Sequence, residues 1–170
     1  IVVLSASYGR EIGVEFYEEV GGIHSVQIFV LHDRKQSTNR KLLKALAKAD
    51  GIFIAGGDQS RYIRYWRGTP VHQALLAHVD AGKPLGGTSA GLAMLGQYIY
   101  GAMDGGSLTS QEALADPFGP RNTIEGDYLG IPHLRGVITD THFKERDRLG
   151  RLFAFVAKAQ ALQMTDAPPV

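Results

Sequence analysis

Short apolar runs alternate along the chain with stretches whose apolar residues recur at helical spacing, a pattern that predicts βαβ units and a mostly parallel sheet. Residues 1–4 form a buried-strand run, 14–20 read as helix and 26–31 as a second strand. Leu42, Leu43 and Leu46 make an i, i+1, i+4 stripe, with Ser37 or Thr38 placed to cap that helix. A third strand over 51–55 ends abruptly at Gly56-Gly57. A helix over 70–79 closes near Ala81-Gly82, residues 84–86 lead into a tight turn, and 92–98 continue as helix. Residues 101–135, rich in Gly, Pro, Asp and Ser, read as loops with one helical turn around 111–115. Residues 136–139 are predicted strand and 145–159 helix, with Leu149, Leu152, Phe153 and Val156 as its apolar face. No internal repeat or low-complexity tract interrupts the pattern.

Composition fits that picture. A chain of 170 residues with 44% apolar and 21% charged residues is expected to form one globular catalytic domain with a real core. It opens without Met inside an apolar run, so the domain is expected to be incomplete at both ends and again after residue 159. Net charge is +1, from 18 basic and 17 acidic residues, which offers no electrostatic reason for a nucleic-acid or anionic-membrane partner. No apolar run approaches the roughly 18 residues that span a bilayer. With no cysteine, disulfides, thiolate zinc sites and a cysteine nucleophile are excluded. A cytoplasmic protein is expected, although a cysteine-free chain fits either redox environment.

Chemistry enters at Gly87-Thr88-Ser89-Ala90-Gly91, a G-x-S-x-G pattern between a predicted strand and a predicted helix. Small neighbours let strand and helix close around a serine held in a strained turn. The backbone N–H of Ala90 is then aimed at a developing oxyanion. A phosphate loop or plain turn is the bland alternative, but the Gly-Lys-Ser/Thr ending and the dinucleotide spacing are both missing. Gly56-Gly57-Asp58-Gln59 ends another parallel strand and lies on the same carboxyl edge. The N–H groups of Gly57 or Asp58 fit the other half of an oxyanion hole, and Gln59 fits a substrate amide. Taken alone, Gly-Gly is simply a tight strand exit.

The segment from Asp140 to Leu152 is the most distinctive. Asp140 and His142 are two apart, so an extended backbone puts them on one face, where His142 fits a general base for Ser89. Arg146, Arg148 and Arg151 gather at the start of the last helix, and guanidiniums bind carboxylates bidentately. Read blandly, they are a solvated face paired with Glu145 and Asp147. His24, His32, His72 and His78 read as surface or packing residues, and His133 as a reserve base. No His/Asp/Glu cluster has metal-ligand spacing, so neither metal nor cofactor is expected.

In order and spacing, Gly57-Asp58-Gln59, Gly87-Thr88-Ser89-Ala90-Gly91 and Asp140-Thr141-His142-Phe143 with Arg146, Arg148 and Arg151 resemble the cyanophycinase family of serine peptidases. That family is related to dipeptidase E and to the class I glutamine amidotransferase-like fold. The resemblance implies a three-layer α/β/α sandwich with a mostly parallel sheet and a nucleophile elbow. It also implies hydrolysis of a polymer with an aspartate backbone and arginine side chains, releasing β-aspartyl-arginine. Ser89 would attack and His142 would shuttle the proton. Gln59, Asp140, Arg146, Arg148 and Arg151 would line a pocket for a peptide with free carboxylates, and the assembly would be a homodimer. The family's third triad member, a Glu on a strand after the arginine helix, has no match here. Only Asp166 follows Ala159, and Asp104 is the substitute by analogy with dipeptidase E.

Rival readings are an α/β-hydrolase esterase, an α-aspartyl dipeptidase of the dipeptidase E type, and a non-catalytic anion-binding protein of the same fold. The first needs a His-Gly-Gly-Gly loop that the chain lacks.

Overall fold

The computed structural model describes residues 1–7, 19–164 and 169. Most of the helix predicted over 14–20 lies outside them, as does Asp166. The chain divides into two compact units, Ile1–Gly91 and Leu92–Val170.

The first unit is an α/β layer structure. Strands β1 (Val2–Ser5), β2 (Gln27–Val30), β3 (Ile52–Ile54) and β4 (Leu85–Gly87) form a four-stranded sheet in the order β2-β1-β3-β4. Every pairing is parallel, as predicted, with Val3 opposite Phe53 and Phe53 opposite Gly86. Helices α1 (Arg40–Lys48), α2 (Gln59–Trp66) and α3 (Pro70–Asp80) flank it. The central strand β1 is buried throughout, as expected of an inner parallel strand. The cap of α1 is a correction. Asn39, not Ser37 or Thr38, accepts from the N–H groups of Lys41 and Leu42. Ser37 instead donates its hydroxyl to the Tyr65 carbonyl at 2.8 Å from a preceding 3-10 turn, Lys35–Thr38. Helix α2 was not predicted at all. Asp58 caps it and Tyr62, Ile63 and Trp66 are its buried stripe.

Helix α4 (Ala90–Ala93) is a single turn, so the predicted helix over 92–98 is also corrected. The chain leaves it for β5 (Tyr98–Tyr100), because Gly96 lies so close to the 137–139 backbone that a Cβ would sit 2.8 Å from the Val137 carbonyl oxygen. In the second unit β5 pairs antiparallel with β6 (Ile124–Gly126), a strand the loop-like composition had concealed. The strand predicted at 136–139 is reduced to one parallel bridge between Tyr98 and Ile138.

Helices α5 (Ser110–Ala115) and α6 (Leu149–Ala161) complete the unit. Thr109 and Glu112 form a reciprocal capping box on α5. The Thr109 N–H, then Arg121, hold the Glu112 carboxyl down at about 2. Helix α6 bears out half of its predicted apolar face, since Leu152 and Val156 pack against the core, but its fully buried positions are others. Arg151, Ala154, Phe155 and Ala159 point inward, while Leu149 and Phe153 are exposed. Phe155 stacks on Tyr100 at 4.3 Å, and the Arg151 guanidinium lies over both rings. Among the described residues, no helix is long and apolar enough to cross a membrane.

Candidate active site

Ser89 sits between β4 and α4 with φ 50°, in the left-handed region that non-glycine residues seldom enter. The chain closes there because its neighbours are small. A Cβ on Gly91 would lie 2.0 Å from the Ile54 carbonyl oxygen, so the start of α4 rests directly on the end of β3. The Thr88 N–H donates to that same oxygen at 3.0 Å, tying elbow to strand. Gly56 faces the serine itself: a Cβ there would stand 3.2 Å from Ser89 Cβ and 3.6 Å from its Oγ. Ser89 is therefore presented over the carboxyl ends of β3 and β4, half-exposed.

The β3 exit is just as closely built. Gly57 has φ +135°, and a Cβ there would meet the Ser7 side chain at 2.7 Å, so glycine is required. Tyr62 is buried beneath the turn, with its hydroxyl 2.7 Å from the Ala55 carbonyl and 2.8 Å from that of Gly56. Burial pushes its phenol up to about 12. Of the expected oxyanion donors, Asp58 is corrected: its N–H donates to Ser7 Oγ at 3.3 Å and its carboxylate caps α2. The Gly57 N–H belongs to the β3 exit and the Ala90 N–H to the residue that follows Ser89. Gln59 begins α2, half-buried beside them.

In the second unit His142 is exposed and also left-handed, with φ 50°. Asp140 does not present its carboxylate beside it. Both Asp140 oxygens are taken by Arg151, whose Nε donates to Oδ2 at 2.7 Å and whose Nη2 donates to Oδ1. Arg151 Nη1 is shared between Ser107 Oγ and the Leu108 carbonyl. With 2% exposure and all three nitrogens engaged, Arg151 is a structural cation, not the substrate ligand expected from its spacing. Arg148 is buried too, with Nη1 donating to the Thr141 carbonyl and 3.6 Å from Asp140. Desolvation, then the Arg151 charge, lowers Arg148 from its usual range. Arg146 is exposed. Asp104 lies in an exposed turn after β5, where its charge acts on Arg121. Among the other histidines, His78 bonds the Pro84 carbonyl and His72 accepts from the Gly68 N–H, both as packing residues. His24, His32 and His133 are exposed. No group of three His, Asp or Glu residues able to hold a metal occurs among the described residues.

A strained serine on a β-strand exit, with Gly57 and Gly91 leaving no room for a side chain, defines a nucleophile-elbow protein of the α/β class. The model of peptidase family S51 matches residues 11–163, and the chain belongs to that family. It is 32% identical over 145 residues to the cyanophycinase of Trichormus variabilis, covering 85% of this chain and 45% of that protein. Over 137 residues it is 35% identical to the cyanophycinase of Synechococcus elongatus, covering 80% and 39%. The chain thus spans less than half the length of these curated relatives. The crystal structure of a peptidase from an acI-B1 Actinobacterium shares the fold, with a TM-score of 0.57 at 18% identity over 99% of this chain and 63% of that one.

Proposed function

We propose that the chain is the nucleophile-bearing part of a serine peptidase that hydrolyses cyanophycin or related β-aspartyl and acidic peptides. The observation that carries the proposal is the left-handed Ser89 on an elbow closed at Gly91, where the Ile54 carbonyl leaves no room for a side chain. Membership of family S51, and the cyanophycinase names of its relatives, support the substrate class.

In this reading Ser89 Oγ attacks the scissile carbonyl carbon while His142 accepts its proton. The oxyanion is received by the N–H groups of Gly57 and Ala90. Collapse breaks the C–N bond, and the imidazolium returns the proton to the leaving amine. Water, deprotonated by the same imidazole, then releases the acid and regenerates Ser89. Exposed Arg146 holds substrate carboxylates, and Gln59 a substrate amide. Asp104 is carried over as the acid partner of His142.

Incubation with insoluble cyanophycin, followed by chromatography of the soluble products, tests this. Release of β-aspartyl-arginine, lost in Ser89→Ala, is the expected result. Turnover of α-aspartyl dipeptides alone would transfer the site to the dipeptidase reading. Turnover unchanged in Ser89→Ala would end the proposal.

A further inference from the structure

Residues 141–147 of the second unit form a short loop that carries His142, exposed from 142 onward, and the backbone is left-handed twice within it, at His142 (φ 50°) and Asp147 (φ 46°). Such conformations persist only where surrounding contacts over-determine them. Those contacts gather at the two ends of the loop. Asp140, with a side chain 3% exposed, accepts the fork of Arg151 from the first turn of α6 and also the Thr141 N–H at 2.8 Å. Arg148 donates from Nη1 to the Thr141 carbonyl at 2.6 Å, and its own N–H donates to the Phe143 carbonyl at 2.9 Å. Arg146 N–H closes on the His142 carbonyl at 3.1 Å. Ser110 of α5 anchors the far end by donating to the Asp147 carbonyl while accepting the Arg151 N–H.

We propose that the Asp140–Arg151 pair is a clamp that positions the His142 loop, so that both are positioning residues rather than substrate ligands. This rests on the reading of His142 as the base for Ser89. A carboxylate 3% exposed that already receives a guanidinium fork and a backbone N–H presents almost no surface to substrate, and the guanidinium is 2% exposed. Burying such a pair is favourable only with this full set of hydrogen bonds, and removing one partner strands the other. The left-handed loop is then the element that relaxes, because residues 142–147 are all exposed.

The test compares Asp140→Asn, Arg151→Met, their double variant and Arg151→Lys. Amide hydrogen exchange is read over 141–147 and over β5, alongside the rate at which a neutral fluorophosphonate labels Ser89. The clamp requires exchange over 141–147 to rise at least tenfold in either single variant with β5 unchanged. Labelling should slow at least tenfold, the double variant should be no slower than the worse single one, and Arg151→Lys should fall between. Unchanged protection over 141–147, exchange rising evenly across the unit, or losses that multiply in the double variant would overturn the clamp. Should Asp140→Asn fail to fold, Arg151→Lys decides by the same exchange criterion. A wild-type protein that never labels at Ser89 would sink the peptidase reading, while the exchange data would still decide the clamp.

Discussion

Gly91→Ala puts a methyl group where the structure has no room. Its carbon would lie 2.0 Å from the Ile54 carbonyl oxygen, 2.6 Å from the Ile54 carbonyl carbon and 2.7 Å from the Ala55 carbonyl oxygen. All three are backbone atoms, so no side-chain rotation relieves the clash. Separation to ordinary contact means moving α4 off β3 by more than an ångström. The Ile54 oxygen cannot simply swing aside, because it accepts from Thr88 N–H at 3.0 Å, and the Ala55 N–H is tied to the Leu4 carbonyl at 2.8 Å. Overpacking of this kind costs roughly 1–3 kcal/mol, and loss of the Thr88 bond adds about 1 kcal/mol. A total of about 2–4 kcal/mol should lower Tm by roughly 5–15 °C in a chain of this size. Thermal unfolding followed by circular dichroism reads the shift, and fluorophosphonate labelling reads the elbow, which should lose at least tenfold in rate. Gly86→Ala is the control: its Cβ would stand 3.4 Å from Phe53 Cδ2, ordinary contact, and should cost no more than about 0.5 kcal/mol. Gly91→Ala melting within about 2 °C of wild type, with normal labelling, would refute the packing argument.

Gly56→Ala should separate function from fold, since its methyl would meet Ser89 Cβ at 3.2 Å without striking backbone at close range; at least tenfold slower labelling with Tm within a few degrees is expected. Tyr62→Phe should change the alkaline limb of stability. The buried phenol, at about 12 when folded against about 10 when unfolded, contributes its full share below pH 10. That share, on the order of 2–3 kcal/mol, is lost as pH climbs from 10 through 12, so urea midpoints should fall less steeply there in the Phe variant. Arg146→Ala should raise KM severalfold for a peptide with free carboxylates while leaving Tm and the labelling rate unchanged; an equal effect on the neutral probe would remove it from the substrate site.

The parallel sheet and the elbow were legible because each rests on local pattern. Apolar runs at residues 1–4, 26–31 and 51–55 became β1, β2 and β3, and the glycines around Ser89 marked a strand-to-helix turn that a φ of 50° bears out. What failed depended on contacts distant in sequence. Periodicity puts Leu149, Leu152, Phe153 and Val156 on the buried face of α6; Leu152 and Val156 do pack there, but Arg151 is missed because a charged residue counts as polar in any such pattern. Arg151 is inside only because Asp140, eleven residues earlier, supplies a carboxylate and Tyr100 and Phe155 supply aromatic faces. The same pairing turned two expected substrate ligands into a structural unit. Local pattern makes Asp58 an oxyanion donor, but Ser7, fifty-one residues away, accepts its N–H. Helix α2 is a different case. Its Asp58 cap and its Tyr62, Ile63, Trp66 stripe were both present in the sequence, overshadowed by the glycine signal before them.

Ser89 as an activated nucleophile is the central claim, and covalent capture reads that property directly. Wild-type protein is treated with a fluorophosphonate, digested and mapped by mass spectrometry, beside Ser89→Ala and His142→Ala. One adduct on the peptide containing Ser89, none in the alanine variant, and on the order of a 10³-fold slower adduct without the imidazole is the expected outcome. No adduct at Ser89, or one formed as fast in His142→Ala as in wild type, would contradict it.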